Sequence, residues 1–174
     1  IDAQVATTTV TQVFANRGAG NGEAVFLFPL PSGAAMTGLA LWIDGEPVQG
    51  EVLAADEARA KYEEIVAFLR DPALLEFADQ GLVRLSVFPI PAGGERTVRL
   101  EYTEVLAADQ GLVRYRHPMG REAQGLAEIE NLTARLEIRS PEEIKVVYSP
   151  THDVSVDRPD ATTAVVGYQG TGGE

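Results

Sequence analysis

The 174-residue chain contains no cysteine. A disulfide, a thiolate zinc site and a cysteine nucleophile are therefore excluded, while the compartment is left open. Histidine is scarce: His117 and His152 are the whole complement, each in a proline-containing stretch. A catalytic triad built on either needs a serine and an aspartate brought from afar, and nothing in the sequence places them together. There is also no G-x-S-x-G elbow. Basic residues are in deficit, with 14 Lys and Arg against 26 Asp and Glu, a net charge of −12 and a pI near 4.6. Such a field repels nucleic acid and anionic membrane. Arg84, Arg96, Arg99, Arg114, Arg116 and Arg121 are scattered at strand spacing rather than gathered into a basic patch. No apolar run approaches the roughly 18 residues of a membrane-crossing helix. No repeat at a fixed period and no low-complexity segment is evident. The first residue is Ile1, without an initiator Met or a signal peptide, so the expectation is a processed protein or an excised piece.

What is present is mostly short strands. Gln4 to Phe14 is rich in Val and Thr, and Ala24 to Phe28 is apolar up to Pro29 and Pro31. Met36 to Asp44 alternates, and Asp44-Gly45 is a hairpin signal before a return strand over Pro47 to Leu53. Leu74 to Phe77, Leu82 to Phe88 and Arg96 to Leu106 follow, the last with Val98, Leu100 and Tyr102 on one face. Further strands are expected at Leu112 to Arg116, Leu132 to Ile138, Ile144 to Tyr148, Val154 to Val156 and Thr162 to Tyr168. Residues 169–174 carry no core signal and are expected to fray. Many short strands at about ten-residue spacing point to a mainly β fold, an antiparallel β-sandwich, with residues 1–174 forming one domain.

One stretch breaks the pattern. Ala58, Tyr62, Ile65, Val66 and Leu69 fall on one face of a 3.6-residue period, which predicts a single inserted amphipathic α-helix over about residues 56–70. Asp56 is a candidate N-cap, and Asp71-Pro72 stops the helix. A lone helix among strands must bury its stripe against a sheet, at about 1.5–3 kcal/mol gross per buried side chain.

The run ARAKYEEIV, then RDPALLE, then VFPIPAGGERTVRLEYTEVL resembles the vault protein and inter-α-trypsin inhibitor heavy-chain (VIT) domain. TTTVTQVFAN and EAVFLFPLPSGAAMTGLALWIDG match the start of the same pattern. The resemblance is strong over about residues 3–106. Beyond them it rests on bacterial relatives with additional strands, here at 112–168. It implies a bacterial, von Willebrand A-associated protein, secreted, periplasmic or in the cell envelope. It also implies a non-catalytic protein–protein interaction and scaffolding module that braces or flanks a von Willebrand A domain. No catalytic, cofactor-binding or metal residues come with it. The matching Tyr62, Ile65, Leu74, Leu75, Glu76 and Tyr102 are expected to be architectural, with Leu74 and Leu75 capping the helix and Glu76 meeting a hydrogen-bond donor.

Other readings of the residues remain beside it. Asp153-Val-Ser155-Val-Asp157 has a superficial likeness to a metal-adhesion motif, and Asp153, Asp157 and Asp160 offer part of a calcium shell that needs six to eight oxygens. A calcium-dependent adhesive or carbohydrate-binding module is thus one alternative. A hydrolase with an acidic pair in a sandwich groove is a second, but with this many acids some pair meets the spacing by chance, so Glu51, Glu76 and Glu101 are not singled out. Asn131-Leu132-Thr133 is a formal glycosylation sequon. Gly93-Gly94 lacks the lysine and helix of a phosphate loop and is taken as a turn. The candidate interaction patch is the proline-stiffened corner Phe88, Pro89, Ile90 and Pro91, with Phe26, Phe28, Pro29 and Leu30 forming a similar one.

Overall fold

The computed structural model describes residues 1–43, 45–50, 73–78, 82–117 and 129–171. They form twelve strands: β1 (Val5–Ala15), β2 (Gly22–Pro29), β3 (Ala35–Ile43), β4 (Glu46–Gln49), β5 (Ala73–Ala78), β6 (Leu82–Ile90), β7 (Glu95–Val105), β8 (Ala108–Asp109), β9 (Leu112–Val113), β10 (Leu132–Arg139), β11 (Ser155–Asp157) and β12 (Thr163–Gly170). The mainly β, antiparallel expectation is met. The helix expected over 56–70, with Tyr62 and Ile65, lies outside the described residues.

The chain divides into two compact units, Thr7–Glu104 and a second made of Ile1–Ala6 with Val105–Glu174. The first unit holds a four-stranded sheet in the order β1-β7-β3-β4 and a three-stranded sheet in the order β2-β6-β5. The pairs β3·β7, β3·β4, β2·β6 and β5·β6 are antiparallel. Alternation in the sequence becomes a common core, because every second side chain of a strand faces the same way. Leu39, Leu41, Val98, Leu100 and Tyr102 from one sheet join Phe28, Val83, Leu85, Val87 and Ile90 from the other in a single buried cluster. The opposite face of the four-stranded sheet is polar or amphipathic. There Arg99 lies 4.8 Å over the Trp42 ring, and Thr37 Oγ1 donates to Glu101 at 3.1 Å.

Two turns of like sequence cross from one sheet to the other. In Pro31-Ser32-Gly33-Ala34, the Ala34 N–H donates to the Pro31 carbonyl at 3.0 Å. In Pro91-Ala92-Gly93-Gly94, the Gly94 N–H donates to the Pro91 carbonyl at 2.9 Å. Gly33 and Gly93 both sit at positive φ, 82° and 66°, where a side chain would be strained. The first turn joins β2 to β3 and the second joins β6 to β7, so two similar arches face each other, β2 against β6 and β3 against β7. The sequence carries this as FPLPSGA and FPIPAGG.

Gly50 is held by a different constraint. Its N–H donates to the Leu39 carbonyl at 2.8 Å, and a Cβ there would lie 2.6 Å from Leu39 Cδ2. Leu39 is part of the buried cluster and has little room to move aside. Gly50→Ala is therefore expected to lower stability by about 1–3 kcal/mol through overpacking. A urea midpoint equal to that of the parent would refute this.

In the second unit β10 and β11 flank β12, both antiparallel to it. The N-terminal residues lie along β10: the Ile1 ammonium donates to the Glu137 carbonyl at 2.6 Å, and the Ala3 N–H to the Arg139 carbonyl at 2.8 Å. A two-residue hairpin joins β8 to β9, with Gln110 and Gly111 at φ 50° and 82°. Positive φ at both central residues suits the right-handed twist of a tight hairpin.

Three strand expectations need correction. Leu112 to Arg116 pairs only at Leu112–Val113. Ile144 to Tyr148 has strand composition but enters no sheet. At the other end of the unit, Gln169 and Gly170, expected to fray, instead pair with Thr133 and Leu132.

Candidate functional site

The corner Phe88–Pro91 is the first place to look for an interaction surface. A register shift in β2·β6 falls between Gly22 and Ala24, opposite Phe88 and Pro89. Proline lacks an N–H, so an irregularity in the ladder is where a strand tolerates it. The Phe88–Pro89 peptide is cis. Asn16 braces the end of β6: its Nδ2 donates to the Ile90 carbonyl and to the Gly20 carbonyl, both at 2.8 Å, and its backbone N–H donates to the Gly94 carbonyl at 2.9 Å. The corner is thus fastened from the side by Asn16.

This arrangement corrects the patch expected there. Ile90 is 4% exposed and belongs to the apolar cluster, Pro89 is buried, and Phe88 and Pro91 are half-buried. Strict alternation from Leu85 and Val87 would aim Ile90 outward, but the extra residue of β6 opposite Gly22–Ala24 shifts the pattern by one and turns Ile90 into the same apolar cluster. In the matching corner, Phe28 is likewise in the core, while Pro29 and Leu30 are half-buried. Tyr102 is fully buried, with its ring centroid 5.7 Å from that of Phe28. In β5, Leu74, Leu75 and Glu76 lie across from Ser86, Leu85 and Arg84. The register thus sets Glu76 opposite a cation.

The acidic candidates are dispersed. Asp153, Asp157 and Asp160 are all exposed. Asp160 accepts from the Thr162 N–H at 2.7 Å and from Thr162 Oγ1 at 2.9 Å, and these bonds, the backbone one foremost, hold its carboxyl below the ordinary aspartate value. Ser155 Oγ donates to the Gly167 carbonyl at 3.2 Å. Among the described residues, no three His, Cys, Asp or Glu side chains gather as a metal-binding group. Glu101 receives the Thr37 hydroxyl, and Glu51 lies outside the described residues. Glu104 has one shielded carboxylate oxygen with no hydrogen-bond partner, and desolvation raises its pKa. Asn131 is exposed immediately before β10.

The two histidines have different surroundings. His152 Nδ1 lies 2.8 Å from Thr151 Oγ1, and its ring meets Tyr168 edge-on at 4.8 Å. His117 is half-buried, and desolvation pushes its imidazole below 6.5. The unfolded chain therefore takes up a proton at a higher pH than the folded chain does. Stability from this source is present above the unfolded value and is lost as pH falls through it toward the lower folded value. His117→Gln is expected to flatten that part of the decline in melting temperature between about pH 7 and 5. An unchanged pH profile would count against it.

The segment that composition alone misplaced is Ile144–Tyr148. It belongs to no strand, and Val146 is 66% and Tyr148 62% exposed. No helix among the described residues is long and apolar enough to cross a membrane.

Comparison with known proteins adds two findings. A family model, the vault protein inter-alpha-trypsin domain, matches residues 1–102. The protein mono-ADP-ribosyltransferase PARP4 of Mus musculus is 26% identical over 157 residues, which is 89% of this chain and 8% of that protein. The chain thus spans about 8% of the length of the curated relative it matches.

Proposed function

Because this chain belongs to the vault protein inter-alpha-trypsin domain family, we propose that it is a non-catalytic interaction and scaffolding module. In this reading it is a β-sandwich carrying an inserted amphipathic helix, and it braces or flanks a von Willebrand A domain in a secreted or cell-envelope protein. The supporting observation is where the residues of the family motif lie. Tyr102, Ile90, Pro89 and Phe28 are packed into the interior, where they set shape rather than meet a substrate. The transferase activity in the name of the mouse protein is no part of the proposal, since the shared stretch is so small a share of that protein. The strongly acidic surface favours partners with cationic patches.

Titrating the chain with a recombinant von Willebrand A domain from a protein of this family is the test. Saturable binding, together with no turnover of ester or glycoside substrates, is the expected result. Turnover by the purified chain, or no association at millimolar concentration, would overturn it.

A further inference from the structure

We infer that Asn21 is a site of spontaneous covalent modification. Its side-chain amide is lost through a cyclic imide closed by the Gly22 main-chain nitrogen, which leaves aspartate and isoaspartate in the folded chain. The site needs no enzyme and no partner, so it holds whatever the chain docks against.

The chain has three asparagines, Asn16, Asn21 and Asn131, in three different situations. Asn16 is tied down: its Oδ1 accepts from the Gly18 N–H at 2.8 Å, its Nδ2 donates to the carbonyls of Gly20 and Ile90, and Arg17 follows it. Asn131 is exposed, but Leu132 follows it at the start of β10, and a branched side chain there crowds the nitrogen that would have to attack. Asn21 alone precedes a glycine. It is exposed, it lies between β1 and β2 outside any strand, and among the described residues no hydrogen bond engages its amide. Gly22 has no Cβ, so nothing on it crowds its nitrogen. The packing also favours glycine at that place. A Cβ at position 22 would lie 3.2 Å from Asn16 Nδ2, the atom that braces the end of β6. The residue that fastens the corner therefore keeps Asn21 next to a glycine.

Asparagine is among the thermolabile side chains, and here the step balances with water as the only co-reactant. The Gly22 nitrogen gives up its proton and attacks Asn21 Cγ. The bond from Cγ to the amide nitrogen breaks, ammonia leaves, and a succinimide ring closes. Water then opens the ring in one of two ways, its hydroxyl going to the carbon released and its proton to the Gly22 nitrogen. Release at Cγ restores an ordinary peptide with an aspartate side chain. Release at the Asn21 main-chain carbonyl carbon leaves isoaspartate, with the chain running through Cβ. Either product adds a carboxylate to a chain of net charge −12. Isoaspartate also adds a methylene to the main chain immediately before Gly22. The β2·β6 register shifts between Gly22 and Ala24, so the longer backbone enters the ladder where its pairing is already irregular.

The test is ageing of the full chain at body temperature in heavy-oxygen water, at neutral and at mildly alkaline pH, followed by digestion and mass spectrometry. The peptide that contains Asn21 is expected to change from amide to acid and to take up heavy oxygen. It should separate into two forms, only one of which is cut by a protease that cleaves before aspartate. Conversion should be faster at the higher pH, because the attacking nitrogen must lose its proton, while Asn16 and Asn131 remain amides over the same period. Asn21→Gln, whose longer side chain would have to close a larger ring, should lose the signal at an unchanged melting temperature, since no bond among the described residues depends on that amide. Asn21→Ser, which has no amide, should lose it as well, and it serves should the glutamine variant fail to fold. An intact Asn21 after the free peptide Ala-Gly-Asn-Gly-Glu-Ala has converted fully would overturn the site, because the fold would then hold the amide away from the nitrogen. Aspartate formed without isoaspartate would overturn the cyclic step, and equal loss at Asn16 or Asn131 would overturn the selectivity.

Discussion

Tyr102→Ala is expected to lower the unfolding free energy by about 3–5 kcal/mol, the range for truncating a large aromatic in a packed interior. Among the described residues Tyr102 is the largest of the fully buried side chains, at 0% exposure. It lies in β7 opposite Met36 of β3, with its ring tilted 49° against Phe28 of the other sheet. Removing it strips contacts from both sheets and leaves a cavity that rigid strands cannot close. Tyr102→Phe keeps the ring and should recover most of the loss. The measurement is a urea midpoint at unchanged slope, and a loss below about 1 kcal/mol would show that the site relaxes around the missing ring.

The second large effect is expected at Leu85. It lies in β6, paired with Phe26 on one side and Leu75 on the other, and it is fully buried. Leu85→Ala should cost about 2–5 kcal/mol. Leu100 of β7 belongs to the same apolar cluster. Combining the two truncations tests whether that cluster behaves as one body: residues sharing a cavity depart from additivity by about 0.5–3 kcal/mol, whereas distant sites add. Strict additivity in the double variant would mean that the two sheets are sustained by separate interiors.

Much of this interior was legible in the sequence, and for a definite reason. Val98, Leu100 and Tyr102 alternate with Thr97, Arg99 and Glu101, and a strand with one covered face can satisfy that pattern in one register only. The hairpin at Asp44-Gly45 was readable because Ile43 pairs with Glu46, so the loop has two residues, and Gly45 sits at φ 87°. What alternation does not encode is whether a ladder has a vacant edge. Ile144–Tyr148 carries strand composition and yet joins none of the sheets among the described residues. The corner Phe88–Pro91 misled in a related way. Prolines marked it as a surface turn, but a register irregularity lets β6 run on to Ile90, so the apolar residues turn inward. Asn16 was invisible for the same reason, because its partners are the carbonyls of Ile90 and Gly20 rather than a motif. The helix expected over residues 56–70 falls outside the described residues.

The paired arches make the two ladders a single gear train. Val25 faces Ser86 while Phe26 faces Leu85, and Leu39 faces Leu100 while Ala40 faces Arg99. Superposing Phe28 on Phe88 carries the Val25–Ser86 pair onto Leu85–Phe26 and the Leu39–Leu100 pair onto Arg99–Ala40. Each arch is clamped at its bend by a proline carbonyl, so neither ladder can slide without dragging the other along. Misaligned intermediates in this half of the molecule must therefore break both sets of rungs at once, which favours all-or-none assembly.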